Sequence, residues 1–508
     1  MNRMSSTKPL MIQGTASSSG KSLITAALCR ILHEDGVKVA PFKAQNMSNN
    51  SFVTHDGYEM GRAQVVQAYA AGLAPDVRMN PVLIKPSSDT GAQVVVHGKP
   101  SFFMNASSWH ETRERLRTEI GKAYRSLAGQ YPCIVIEGAG SPAEINLKEN
   151  DVVNMGMAAM ADAPVLIVGD IDRGGVFASL VGTVMLLDDE ERSRVKGFII
   201  NKFRGEESLL TPGLRQLETI TGIPVLGVIP WIHHAIDEED GQSEWFDRSD
   251  IRSGHSDICI LRLPHISNFT DFIPLENIPG VRVRWCDRPE TFGTPDLLIL
   301  PGTKATVNDL LTLRSAGIAD VITAYAEQGG AVLGICGGFQ MLGTTLRDPF
   351  CVESNCTEVP GLGFLDMETE FSVEKRTKQV SVTLSGTGTV FSKDHGDGVI
   401  DGYEIHMGES VFGERTIPFT CAVEENGNLR CNGIADRNGT VAGTYCHGLF
   451  DSGRAVKDLI DTLRLKKGLD AIPDDLLDRK LVLEKSIRHL ADICRDHLDM
   501  QRIKEIIG

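Results

Sequence analysis

The sequence predicts two α/β domains in series, joined by an acidic linker and closed by a helical tail. Three observations predict it. A chain of 508 residues is long enough for two to four domains of about 150 residues each. Short apolar runs bounded by glycine and proline alternate with helical patterns, as crossover units on a mostly parallel sheet require. The series stops in a polar segment and resumes beyond it, which divides the chain into 1–236, a linker 237–255, a second domain 256–455, and helices over 456–508.

The strands of the first domain are expected at 10–13, 37–41, 133–136, 165–168, 197–200 and 225–229. Four consecutive acids, Asp237, Glu238, Glu239 and Asp240, then mark a solvated linker. The second series runs through 258–263, 281–285, 297–300 and 331–335 and ends near 443–445, with β-branched residues and glycines between 371 and 423 predicting added antiparallel strands. Apolar residues at helical spacing over 474–507 predict one or two docked helices.

With 42% hydrophobic and 23% charged residues, the chain reads as an ordinary soluble globular protein. Apolar runs such as 331–336 are too short to cross a bilayer, and the first ten residues lack an apolar targeting stretch. The 11 cysteines form no CxxC pair, so reduced thiols in a cytoplasmic protein without a zinc framework are expected. A net charge of −16 argues against nucleic acid as the partner. That charge is uneven: residues 1–150 carry a net +4 and residues 151–450 a net −20, while the last 58 balance. Anionic ligands therefore belong with the first segment.

That segment carries a phosphate loop. After the first strand comes Gly14-Thr15-Ala16-Ser17-Ser18-Ser19-Gly20-Lys21-Ser22, followed by a helical pattern. Small residues let backbone N–H groups surround phosphate oxygens, Lys21 reaches the outer phosphates, and Ser22 is placed to hold Mg²⁺. We read residues 14, 15 and 18–22 as an ATP site, although five residues separate the glycines where the strict motif has four. Glu137, just past the strand 133–136, puts a carboxylate at the strand's carboxyl end and is the expected Mg²⁺ partner of Ser22. Lys43 follows the second strand, where it can meet the transferring phosphate. Glu59 is a further candidate for metal or substrate.

A second chemistry is written at 331–340. There a strand, a sharp turn and a helix hold Cys336 between Gly334 and the pair Gly337-Gly338. A cysteine at a helix N-terminus is favoured as thiolate. The N–H of Gly337 and one from the turn at Gly302 suit an oxyanion hole. His447, in Gly443-Thr444-Tyr445-Cys446-His447-Gly448, is the expected base.

The longer glycine spacing, Phe42-Lys43, Glu137-Gly138-Ala139-Gly140 and Asn201-Lys202 resemble the dethiobiotin synthetase branch of P-loop proteins, which implies a parallel-sheet domain and a purine-reading role for Asn201. The Cys336 and His447 motifs together resemble class I glutamine amidotransferases, which implies a flavodoxin-like domain that releases ammonia from glutamine. The usual pattern there has glutamate two residues after the histidine, where this chain has Leu449. The third member is then absent, replaced by a backbone carbonyl, or supplied from elsewhere, with Glu404 and His406 as candidates.

Joined in one chain, the two domains resemble the cobyric acid synthase family. The resemblance spans nearly the whole chain and is carried by Leu28-Cys29-Arg30, Val39-Ala40-Pro41-Phe42-Lys43-Ala44-Gln45-Asn46-Met47, Gly61-Arg62-Ala63-Gln64, Met79-Asn80-Pro81-Val82-Leu83-Ile84-Lys85-Pro86 and Asp170-Ile171-Asp172-Arg173-Gly174-Gly175. It implies ATP- and glutamine-dependent amidation of the b, d, e and g carboxylates of adenosylcobyrinic acid a,c-diamide through acyl phosphates. Arg62, Lys85 and Arg173 are then candidates to pair with substrate carboxylates, and Gln45, Asn46, Asn49 and Asn80 to hydrogen-bond them. Two other readings stay open: the related synthase that amidates the a and c carboxylates, and a P-loop ATPase carrying an inert amidotransferase module.

Overall fold

A computed structural model describes residues 7–86, 91–105, 109–236, 256–276, 278–385, 398–424 and 426–508. The expected acidic linker, 237–255, lies outside the described residues.

The first domain is built on a six-stranded sheet ordered Val225–Pro230, Val195–Phe203, Val165–Asp170, Lys8–Gly14, Cys133–Glu137, Val39–Phe42. Every pairing in it is parallel. Its strands read as near-continuous apolar runs because helices cover both faces. Helix Lys21–Glu34 lies on one face, burying Ile24, Leu28 and Ile31, and helix Trp109–Ala128 buries Leu116, Ile120 and Leu127 on the other.

Between Val39–Phe42 and Trp109–Ala128 the chain makes an insertion that the periodicity does not announce. It comprises a four-stranded sheet, ordered Gln45–Met47, Val82–Pro86, Gly91–Val96, Lys99–Asn105, and a hairpin of Ser51–Val53 with Glu59–Gly61. Three of these strands, Gln45–Met47, Ser51–Val53 and Glu59–Gly61, are only three residues long, too short to show a period.

The second domain has one large mixed sheet. Its parallel part runs Val281–Cys286, Ser256–Leu261, Leu297–Leu300, Ala331–Ile335, Val441–Thr444. Antiparallel strands Leu429–Asp436, Thr416–Val423, Met367–Leu384 and Val399–Phe412 extend it. The hairpin of the first domain lies against the last two. Thr377 Oγ1 donates to Gly57 O at 2.8 Å, Gln379 Nε2 to Val53 O at 2.8 Å, and Tyr403 Oη to Ser51 O at 3.0 Å.

The tail divides between the domains. Helix Gly453–Lys466 buries Val456, Leu459, Ile460 and Leu463 in the core of the second domain. Helices Arg479–His497 and Met500–Ile507 return to the first, where Ile487, Leu490, Cys494 and Ile503 join the cluster formed by Ile24, Leu28 and Ile31. No helix among the described residues is long and apolar enough to cross a membrane.

Candidate active sites

The phosphate loop joins strand Lys8–Gly14 to helix Lys21–Glu34. Gly20 caps that helix with φ +95°, and a Cβ there would lie 2.0 Å from Asn201 Nδ2. Only glycine suits both the left-handed backbone and the contact. Lys21 Nζ bridges the loop to Ala16 O at 2.8 Å. Asn201 donates from Nδ2 to Ser19 O at 3.0 Å, and Lys202 from Nζ to Ser18 O at 2.8 Å. Asn201, at the end of Val195–Phe203, thus braces the loop from two strands away in the sheet.

Glu137 closes its strand 1% exposed. Its Oε1 accepts from Ser22 Oγ and from Lys43 Nζ, each at 2.7 Å, and its Oε2 accepts from Gln67 Nε2 at 2.5 Å. The structure therefore brings together Ser22, Lys43 and Glu137 from three separate strand ends. Gln67 was missed by the sequence reading. The sequence offers only the spacing of Gln64 and Gln67, three apart; the structure puts both on helix Arg62–Ala70 and buries them fully. The oxygen donors of Ser22 and Glu137 form the kind of small, hard set that suits Mg²⁺ beside nucleotide phosphates.

A cavity of about 390 Å³ opens beside this cluster, lined by Lys21, Lys43, Gln45, Asn46 and the turn 139–142. Asn46 Nδ2 donates to Gln64 Oε1 at 3.0 Å. Arg173 stands at the same end of the sheet, largely exposed, 4.0 Å from Asp170. Three other residues expected there are elsewhere. Glu59 is fully buried, and both its carboxylate oxygens are held by lysines, Lys85 on one and Lys375 Nζ at 2.6 Å on the other. It is therefore an ion-pair partner across the domain boundary and not a metal ligand beside Ser22. Lys85 lines the cavity over Cys336. Arg62 lies buried at the domain boundary, 3.7 Å from Asp451 and over the Phe52 ring.

Cys336 ends strand Ala331–Ile335 with φ 52° and ψ −110°, a strained conformation for a residue with a side chain. Its N–H is tied to Thr444 O at 2.9 Å, which fixes the turn to the adjacent strand. Gly337 opens the next helix, so its N–H has no intrahelical acceptor. A Cβ on Gly337 would lie 3.1 Å from Thr303 N, and one on Gly302 would lie 3.2 Å from His447 Cε1. The nucleophile, the imidazole and the two turns are thus in mutual contact.

His447 leaves strand Val441–Thr444, the parallel neighbour of the Cys336 strand. Its Nδ1 is 2.7 Å from Asp271 Oδ2, with both side chains buried. Burial opposes a charge on His447, but the adjacent Asp271 carboxylate and the Cys336 side chain outweigh it, and the imidazole is pushed up to about 10. Asp271 is the third member that the sequence reading left open. Of the two candidates named there, Glu404 is held by Arg376, Arg430 and Asn432 at 2.7–2.9 Å, and His406 stacks on Tyr445 with Nδ1 at 3.0 Å from Gly408 O. Neither supports His447. Asp271 lies 65 positions before the nucleophile, flanked by Phe269 and Phe272. An acid inside an apolar turn was its only signal.

Comparison with known proteins matches both halves. Residues 10–243 fit the family described as CobQ/CobB/MinD/ParA nucleotide binding domain, and residues 257–455 the CobB/CobQ-like glutamine amidotransferase domain. A cobyric acid synthase of Photorhabdus laumondii is 49% identical over 97% of this chain and 97% of its own. Those of Yersinia enterocolitica and Alkaliphilus metalliredigens are each 48% identical over 98% of this chain, and 98% and 99% of their own. With a buried Cys–His–Asp set in one domain, a phosphate loop in the other, and relatives that match from end to end, the chain belongs to the cobyric acid synthase family of glutamine-dependent amidoligases.

Proposed function

We propose that this chain amidates the b, d, e and g carboxylates of adenosylcobyrinic acid a,c-diamide at the Lys21–Lys43–Glu137 cluster, with ammonia made at Cys336. The observation that carries the reading is the cavity beside that cluster, where Lys21, Lys43, Gln45 and Asn46 are among the side chains that face one space. A substrate carboxylate held there attacks the γ-phosphate of ATP, giving an acyl phosphate and ADP. Lys21 and Lys43 stabilise charge on the transferring phosphoryl group. Ammonia then adds to the acyl carbon, and inorganic phosphate leaves.

Ser22 and Glu137 would hold Mg²⁺, which would supply positive charge against the developing negative charge of phosphoryl transfer. At the other site, Cys336 attacks the side-chain amide of glutamine and His447 gives its proton to the departing ammonia. Gly337 N–H and the 301–303 turn face the oxyanion. Water then hydrolyses the thioester to glutamate. Keeping the ammonia inside the protein prevents its protonation near pH 7. All 11 cysteines are free thiols, in keeping with a reducing, cytoplasmic setting.

Cys336→Ala tests the division of labour. Glutamine-driven amidation is expected to vanish while ammonium-driven amidation of the a,c-diamide continues. Glutamine-driven turnover by Cys336→Ala at the unsubstituted rate would overturn the assignment.

A further inference from the structure

The small cavity over Cys336 is lined by three lysines: Lys85, Lys304 and Lys375. One of them, Lys85, belongs to the first domain. It is 3% exposed and is held by Ser51 Oγ at 2.9 Å and by Glu59. Glu59 also holds Lys375, so a single carboxylate fixes two ammonium groups from opposite sides of the domain boundary. Lys304 has no carboxylate within salt-bridge distance among the described residues, yet it lies near enough to Lys375, Glu59, Glu353 and Cys336 to feel the charge of each. Glu353 lines the same cavity and accepts from Thr306 N at 2.7 Å through one oxygen.

Three cations face two acids here, and the surplus is positive. Burial pulls Lys85 down to about 7 and lowers Lys304 also, despite nearby acids. It raises Glu353 to about 7. Each of these groups is therefore stabilised by a ligand of opposite charge. A free amino acid brings both signs on one carbon, a carboxylate and an ammonium, at the end of the molecule away from its side-chain amide.

We propose that Lys85, Lys304 and Lys375 seat the α-carboxylate of glutamine and Glu353 its α-ammonium, so that the first domain supplies one wall of the glutaminase pocket. Glu59 is a positioning residue, aligning Lys85 with Lys375. The pocket selects free glutamine over simple amides because desolvated charges without partners are costly. It also makes the glutaminase site complete only when the two domains are docked. The inference rests on Cys336 as the nucleophile, and Cys336→Ala tests that point separately.

The full-length chain is assayed for ammonia release from glutamine, from 4-aminobutanamide, which lacks the carboxylate, and from 4-carbamoylbutanoate, which lacks the ammonium. Lys304→Met is expected to raise KM for glutamine at least about tenfold with a smaller change in kcat, and to erase the preference for glutamine over 4-aminobutanamide. Lys85→Met is expected to do the same from the other domain. Glu353→Gln is expected to erase instead the preference over 4-carbamoylbutanoate. The two effects are read as ratios within one variant, so a general loss of folded protein does not mimic them. Lysine variants that retain full discrimination between glutamine and 4-aminobutanamide would overturn the proposal, as would Glu353→Gln that retains discrimination against 4-carbamoylbutanoate.

Discussion

Replacing Asp271 by asparagine keeps the shape of the turn and removes the charge that faces His447 Nδ1 at 2.7 Å. The imidazole is 1% exposed, so water cannot take the place of the carboxylate. Burial, the contribution that lowers its basicity, would then dominate, and the group that stands at about 10 would fall below its ordinary value near 6.5. The same change in serine-based triads lowers kcat about 10⁴-fold by presenting the wrong tautomer, and a loss of about 10²–10⁴ in glutaminase kcat is expected here. Breaking one half of a buried ion pair also costs about 3–5 kcal/mol of stability. The sign of the pH dependence follows from the raised value. The pair's contribution to stability is fully present below about pH 6.5 and is lost as pH rises through about 10. The assay is glutamate release from pH 5 to 10.5 beside denaturant unfolding at pH 7 and 10. The unsubstituted protein should lose stability between those pH values and Asp271→Asn should not. An Asp271→Asn protein with unchanged kcat and an unchanged stability difference between pH 7 and 10 would refute the role given to Asp271.

Two further outcomes concern the phosphate site. Gly20→Ala puts a methyl group 2.0 Å from Asn201 Nδ2 at a φ of +95°, so about 1–3 kcal/mol of stability and a raised KM for ATP are expected, read by denaturant unfolding and steady-state kinetics. Glu137→Gln removes the carboxylate shared by Ser22, Lys43 and Gln67. Amidation should fall about 100-fold or more with glutamine and with ammonium alike, and chelation of Mg²⁺ should stop both in the unsubstituted protein until the metal is restored.

The parallel strands of both sheets were legible because a strand covered on both faces is an apolar run, and runs such as 133–136 and 331–335 are bounded by turns. Motif residues at strand ends were legible for the same reason: Ser22, Glu137, Cys336 and His447 each follow such a run. What the sequence hid was pairing across distance. Asp271 is an ordinary acid until the fold brings its turn to His447. Lys85, within the strand Val82–Pro86, does not declare in the sequence which side of a domain boundary it serves. Its true neighbours, Glu59 and Lys375, lie 26 and 290 residues away. The helical period of the tail gave an apolar face but not the surface it covers.

That tail has a consequence for how the molecule is made. Ile487, Leu490, Ala491, Cys494, Leu498 and Ile503 complete a core whose other members, Ile236 apart, are within the first 71 residues and the strands of the first sheet. In folding terms the amidotransferase domain is therefore an insertion within a unit built by the residues before and after it. A ribosome releases the phosphate-binding half with an apolar flank uncovered, and the flank stays uncovered until residues 479–508 emerge. The second domain is then already synthesised, so the nucleotide site reaches its final stability only on a chain that also carries its source of ammonia.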